Sequence, residues 1–442
     1  MASAAQTAAA SKKNKKKGKK FVALPSLESC EAQLPWKLAF TQRLGRHAVA
    51  KTNLPAGSLV LREAAVGSVV LEQCAAFVCH SCLQELPDSD QPAHTAVVDC
   101  KASQFHRFCD RACQREFMAS RPAWVARVYA TQLQELAGIA DSNIHSLGTG
   151  SRNQEIAVGL FPALSMLNHS CSPNCCFQAT GKEMAVRTTR DVKAGEQLCV
   201  SYINLFEMRP VRQRQLLATK FFRCQCERCA QPLPQSTDRF LEGVQCSARG
   251  CRGLLLAQDP GGEDHTPWKC DTCAVEVPAV NAEGTGPQNI VNKATIIWQR
   301  NMAVMQHQGH AMAKAMFEDL LKEFDRPGKL QRLHMVLFDS LVPLMNCCRA
   351  AGDTAGAISY LSKVTAAMEE LHVTPNSPEL ANYLTLHGML LADRANGAPA
   401  AFKARLKKQA KETLARAAAM RKICLGPEHP ATLDALDKIR QV

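Results

Sequence analysis

This 442-residue chain has no long apolar run. Its longest, AAVGSVVL at 64–71, falls far short of the roughly 20 residues that a bilayer-spanning helix needs. The opening residues also lack the apolar stretch of a secretory signal, so a reducing compartment is the expectation. No acidic residue precedes Glu28, whereas SKKNKKKGKK supplies seven lysines between Lys12 and Lys20. These carry about half of the net charge of +13. Residues 1–22 therefore read as a disordered lysine-rich tail, suited to solvation, nucleic-acid contact, nuclear import or organelle transit. Aromatic residues make up only 5% of the chain, with four tyrosines in all. Paired carboxylates that would announce a general acid and base are not evident either.

A hydrophobic share of 46% excludes disorder throughout, and the length implies two or three domains. Cysteine is abundant, with 21 residues. Many fall in short groups: Cys79/Cys82, Cys109/Cys113, Cys224/Cys226/Cys229, Cys246/Cys251 and Cys270/Cys273. In a reduced protein such spacing suits tetrahedral thiolate zinc, because a tight turn presents two sulfurs to one ion. Cys30, Cys74, Cys175, Cys176, Cys199, Cys347, Cys348 and Cys424 have no such pairing and are expected as buried free thiols.

Along the chain, residues 43–72 carry short β-branched runs broken by LPAG, the pattern of antiparallel strands and a turn. Trp124, Val128, Leu133 and Leu136 recur at helical spacing over 122–138. From 156 to 203 the strand pattern resumes, with two strands flanking an AG turn. Beyond about 288 the signal is helical, over 288–325, 330–350, 354–371, 377–393, 399–424 and 430–441. Its breaks have the flavour of tetratricopeptide-type helix pairs, or equally of a plain bundle.

One stretch stands out. SMLNHSCSPNC, 165–175, pushes Asn168, His169, Ser170 and Cys171 into an apolar setting, where an unpaired polar group costs about 1–3 kcal/mol. NHSCSPN (168–174), AGEQLCVSY (194–202) and FFRCQCERC (221–229) follow in order, after LGRHAVAKTNLPAGSLVLRE upstream. Together they resemble a SET domain with a post-SET cysteine motif. The intervening finger and the helices behind make the chain similar to the SET- and MYND-domain lysine methyltransferases over roughly residues 40–442.

The resemblance implies an α+β fold with a β-rich catalytic domain split by a zinc finger. The segments would be 23–73 and 146–207 for the SET halves, 74–118 for the MYND-like finger and 119–145 for a helical insert. Residues 208–230 would be the post-SET zinc motif, 231–282 a zinc-ribbon-like module and 288–442 a helical, tetratricopeptide-like lobe. It implies S-adenosylmethionine as cofactor, held by Gly45, Arg46, His47, Asn143, Ser165, Leu167, Asn168, His169, Tyr202 and Phe222. Segment 168–174 would thread under a neighbouring loop. Tyr202 would be the catalytic residue, orienting the substrate amine and stabilising the polarised methyl. The lysine must lose a proton first; burial beside the sulfonium lowers its pKa from about 10.4 without a strong base.

Three zinc ions are expected. Cys79, Cys82, Cys109 and Cys113 would hold one, with Cys100 left over from an incomplete second finger site. Cys171 would complete Cys224, Cys226 and Cys229, since tetrahedral zinc wants four ligands. Cys246, Cys251, Cys270 and Cys273 have ribbon spacing. Two positions depart from the family pattern: His47 replaces a loop glycine, and Lys220 replaces a channel tyrosine. The reading is a monomeric protein-lysine N-methyltransferase of cytoplasm or nucleus, with a histone or other protein as substrate. The alternative is a weakly active adaptor that binds proteins through its zinc modules and helical lobe. A zinc-finger nucleic-acid binder would explain the basic tail but not NHSCSPN.

Overall fold

The computed structural model describes residues 33–86, 98–99, 106–119, 143–148, 155–259, 266–307 and 309–442. The lysine-rich tail, Cys30, Cys100 and the expected helix over 122–138 lie outside the described residues. In chain order the first strands are β1 (Trp36–Thr41), β2 (Gly45–Ala50), β3 (Leu59–Ala64), β4 (Gly67–Val70), β5 (Val98–Asp99) and β6 (Arg107–Phe108). Next come β7 (Ile144–Gly148), β8 (Glu155–Leu160), β9 (Asn168–His169), β10 (Cys175–Thr180), β11 (Glu183–Thr188) and β12 (Cys199–Val200).

These strands form several small sheets. β1 and β2 make an antiparallel hairpin, in which Gly45 takes the left-handed φ of 63° that the turn requires. β3 pairs not with β2 but with β11, which pairs with β10 across the Gly181 turn. β8 lies between β4 and β7. Alternation decides which faces meet. Along β11, Met184, Val186 and Thr188 point inward while their neighbours are half-buried. Trp36, Leu61, Leu147, Ile156, Phe161, Leu164, Leu167, Leu198 and Val200 join Met184 and Val186 in one apolar core. Each such side chain contributes about 1.5–3 kcal/mol by leaving water.

The helix α1 (Arg111–Ala119) follows β6, while α2 (Arg209–Lys220), α3 (Glu227–Ala230) and α4 (Asp238–Glu242) follow β12. A four-stranded antiparallel sheet comes next, β13 (Val244–Gln245), β14 (Leu254–Ala257), β15 (Trp268–Cys270) and β16 (Glu276–Val277), in sequence order. The C-terminal region is α-helical: α5 (Pro287–His307), α6 (His310–Phe324), α7 (Met335–Ala350), α8 (Thr354–Leu371), α9 (Pro378–Asn396), α10 (Ala400–Cys424) and α11 (Pro430–Gln441). The single helix expected over 288–325 is two, because Gly309 adopts φ 97° at the start of α6. Side-chain caps start α8 and α9: Asp353 accepts from the Gly356 N–H at 2.8 Å and Ser377 from that of Leu380 at 3.3 Å. No helix among the described residues is long and apolar enough to cross a membrane.

The helices lean on the β-rich part at the β10–β11 hairpin. Asn376 donates to the Thr189 carbonyl at 2.7 Å. Gly426, after α10, has φ 101° and lies so near Arg187 that a Cβ there would sit 2.6 Å from its guanidinium.

Candidate functional site: a strand crossing above a thiolate cluster

β9 and β12, two residues each, pair in parallel: Asn168 lies against Cys199 and His169 against Val200. The odd polar stretch is thereby satisfied from within. Asn168 donates its amide to the Leu44 carbonyl at 3.0 Å, tying the crossing to the β1–β2 turn. The ring of His169 is buried and accepts the Tyr202 backbone N–H on Nδ1 at 3.1 Å. Its proton is therefore on Nε2, which points at the Cys171 sulfur 3.3 Å away. Burial, opposed by the nearby Cys226 and helped by Arg212, pulls the His169 pKa down to about 4, so the ring is neutral. Buried Asn174 uses both ends of its amide, donating to the Gln197 carbonyl at 2.8 Å and accepting from the Cys199 N–H at 2.8 Å.

Tyr202 donates its hydroxyl to the Leu167 carbonyl at 2.7 Å. Burial, with Cys199 nearby, raises its pKa above the usual phenol value, so it stays protonated. The His169 and Tyr202 rings lie 5.4 Å apart, and Phe222 lies 6.3 Å from His169. Lys220 ends α2 with its ammonium 5.7 Å from the Tyr202 ring centroid, a cation–π contact. Burial, opposed by a hydrogen bond with the Asn143 backbone and helped by Lys220, brings the pKa of His145 down to about 4.

The other candidate residues divide. Gly45 and Arg46 open β2, beside the Leu44 carbonyl that Asn168 holds, and no heavy atom lies within 4 Å of where a Gly45 Cβ would be. His47 needs no left-handed backbone: the positive φ belongs to Gly45, and the His47 ring donates from Nδ1 to the Gly45 carbonyl at 3.0 Å. Ser165 donates to the Phe161 carbonyl within a short 3-10 turn, and the Leu167 side chain lies in the apolar core. Asn143 stands just before β7, the strand whose His145 packs edge-on against Phe161 and Phe177.

Three groups of four cysteines bring their sulfurs within 4.8 Å of one another: Cys79, Cys82, Cys109, Cys113; Cys171, Cys224, Cys226, Cys229; and Cys246, Cys251, Cys270, Cys273. Four convergent sulfurs and no carboxylate suit zinc, which the first group would hold between the segment after β4 and the start of α1, and the third between the β13–β14 and β15–β16 turns. The second group joins the crossing to α3, since Cys171 and Cys229 lie 3.5 Å apart.

Sequence reasoning overlooked the charges around this second group. Asp238 is fully buried and gathers three guanidiniums: Arg209 at 3.2 Å, Arg212 at 2.8 Å and Arg228 at 2.6 Å. Burial alone would raise the Asp238 carboxyl, but these cations, Arg212 foremost, hold it below the ordinary carboxylate range. Arg228 also donates to the Cys171 carbonyl at 3.1 Å, and Arg212 reaches the Cys229 sulfur at 3.9 Å. A zinc tetrathiolate carries two excess negative charges, and Asp238 adds a third, so three guanidiniums balance the assembly. The signal was Arg209 and Arg212 one helical turn apart in MRPVRQRQ. Glu63 was missed as well: its carboxylate accepts the N–H groups of Ala163 and Leu164, both at 2.9 Å, and so fixes the turn before β9.

The family model described as "SET domain" matches residues 45–203. The chain thus carries a SET domain, whose matched residues include the β9–β12 crossing. The chain is also similar, over part of its length, to proteins named as SET-domain or SMYD proteins. It is 29% identical over 171 residues to the Drosophila melanogaster "SET domain-containing protein SmydA-8, isoform A", covering 37% of this chain and 36% of that one. It is 41% identical over 76 residues to the Homo sapiens "Histone-lysine N-methyltransferase SMYD3", covering 17% and 18%. To the "SET domain and MYND-type zinc finger protein 6" of Schizosaccharomyces pombe it is 27% identical over 276 residues, covering 49% and 56%. The chain spans between 18% and 56% of the length of these relatives.

Proposed function

We propose that this chain is an S-adenosylmethionine-dependent protein-lysine N-methyltransferase. The observation that carries the reading is the meeting of Asn168, His169 and Tyr202 at one strand crossing inside a SET domain. S-adenosylmethionine would supply an electrophilic methyl on a sulfonium. The residues present suit such a ligand: open space at Gly45, an amide at Asn168, and the half-buried Phe222 ring for its adenine. Ser165, Leu167, Arg46, His47 and Asn143 would complete the cofactor's surroundings.

Tyr202 is the proposed catalytic residue. A protonated phenol can accept from and orient the incoming amine, and its own proton is already directed at the Leu167 carbonyl. Lys220 over the Tyr202 ring disfavours a second ammonium, so the substrate lysine would enter neutral. Neutral His169 would hold the Tyr202 backbone and a zinc thiolate together rather than move a proton.

The helices from Pro287 onward would form the tetratricopeptide-like lobe, residues 208–230 the post-SET motif and residues 74–118 the MYND-like finger. The substrate would be a histone or another protein met in cytoplasm or nucleus. The test is incubation of the zinc-loaded chain with S-adenosylmethionine and lysine-bearing proteins. Mass spectrometry should find added methyl mass on lysine, lost with Tyr202→Phe.

A further inference from the structure

A cavity of about 960 Å³ lies between α2 on one side and β14, β15, α5 and α7 on the other. That is at the upper end of ligand pockets, which run roughly 300–1,000 Å³. None of Gly45, Asn168, His169, Tyr202 or Phe222 lines it. α2 is the shared wall. Gln213 and Leu217 face the cavity, Leu216 packs with Cys171 and Cys224, and Lys220 reaches Tyr202.

Four carboxylates line this space, Glu207, Glu242, Asp259 and Asp339, and the first, second and fourth of them have little to neutralise them. Glu242 is only 6% exposed and accepts the Arg209 backbone N–H on Oε1 at 2.7 Å; Oε2 has no hydrogen bond or ion pair among the described residues. Glu207 Oε2 is buried with no partner. Asp339 makes neither hydrogen bond nor ion pair within the described residues, and it faces Glu207 and Glu379, both of like charge. Burial raises the pKa of Glu242 and of Asp339 to about 7. The basic groups of the wall do not offset this: Arg209 is committed to Asp238 and to the Gln231 carbonyl, while Arg214 and Arg223 are exposed. Apolar surface comes from Val291, Met335, Trp268 and Trp298, and the Trp298 Nε1–H is buried without an acceptor.

We infer that this cavity is a second peptide-binding site, which takes an arginine or lysine side chain of a protein partner against Glu207, Glu242 and Asp339. A cation entering would meet carboxylates already stripped of water, together with the indole faces that attract it. A metal ion fits less well: the three acids are not among the groups whose ligand atoms converge within 4.8 Å, and the space is far larger than one ion. An extended segment bearing a guanidinium or ammonium matches both the volume and the spread of charge. The inference rests on the proposed function for the partner being a protein, but the cavity's chemistry does not depend on it.

The test is calorimetric titration of the zinc-loaded full chain, without S-adenosylmethionine, at pH 8. The probe is a short acetylated peptide with one central arginine, compared with its neutral citrulline counterpart. The citrulline peptide should bind at least about tenfold more weakly. The isosteric double variant Glu207→Gln with Asp339→Asn should lose a similar factor for the arginine peptide, its fold confirmed by thermal unfolding. Equal binding of the two peptides, an unaffected double variant, or no binding by folded protein at millimolar peptide would each overturn the site. Peptide binding without methyl transfer would defeat the enzyme reading alone; methyl transfer with no charge-dependent binding would defeat this site alone.

Discussion

The hydroxyl of Tyr202 donates to the carbonyl of Leu167 at 2.7 Å, joining the second residue after β12 to the residue before β9. This bond fixes the phenol where the two short parallel strands cross, and it makes Tyr202 both a brace and the proposed catalytic group. Tyr202→Phe removes the hydroxyl and leaves the ring contacts with His169 and Lys220. The expected result is a folded protein, less stable by about 1 kcal/mol, whose turnover falls by roughly 10²–10³-fold. Paired thermal unfolding and single-turnover methyl transfer would check it. Turnover unchanged in the variant would remove Tyr202 from the chemistry.

Asp238→Asn should be the most damaging conservative change near the second cysteine group. It leaves Arg209, Arg212 and Arg228 crowded and short of one negative charge, and breaking a buried ion pair costs about 3–5 kcal/mol. The melting temperature should drop, and zinc should pass to a chelator faster from one site of three. Metal release followed with a chromogenic chelator reads this directly; three sites releasing as in the parent chain would contradict the charge balance.

Zinc content is itself a prediction. Three thiolate groups imply three ions per chain, and Cys79→Ser or Cys246→Ser should each remove one without emptying the group at Cys171. Metal analysis of the purified variants decides it.

Stability should fall as pH rises from about 4 to 7 at the Asp339 site. Burial, with Glu207 and Glu379 nearby, raises the folded-state pKa to about 7. The folded chain therefore favours the proton there. Its contribution is fully present below the ordinary aspartate value of about 3.9 and declines through 7. Asp339→Asn should accordingly stabilise the chain by roughly 1–3 kcal/mol at pH 8 and by little at pH 4. Denaturant midpoints at the two pH values would show the difference, and an equal shift at both would refute it.

Much of this was legible in the sequence because the chemistry is local. CxCxxC and its relatives place sulfurs by tight turns, and the three cysteine groups the spacing suggested are the three whose sulfurs converge. The helices were legible from period and breakers, except that Gly309 divides the first. What stayed hidden is long-range. Nothing in Leu44 announces that its carbonyl will hold Asn168, 124 residues away. Asp238 reads as an ordinary polar residue until α2 and α3 fold three arginines onto it. His47 and Lys220 read as departures from the family pattern. The backbone places the turn's left-handed residue at Gly45, and the Lys220 ammonium lies over a ring.

The central claim is that the crossing of β9 and β12 binds S-adenosylmethionine. Calorimetric titration of the zinc-loaded chain with that cofactor, in parallel with Asn168→Ala, tests it most directly. The account predicts binding in the micromolar range, about −8 kcal/mol, weakened at least about tenfold in the variant. A folded, zinc-loaded chain that gives no binding heat, or an Asn168→Ala variant that binds as tightly as the parent, would contradict it.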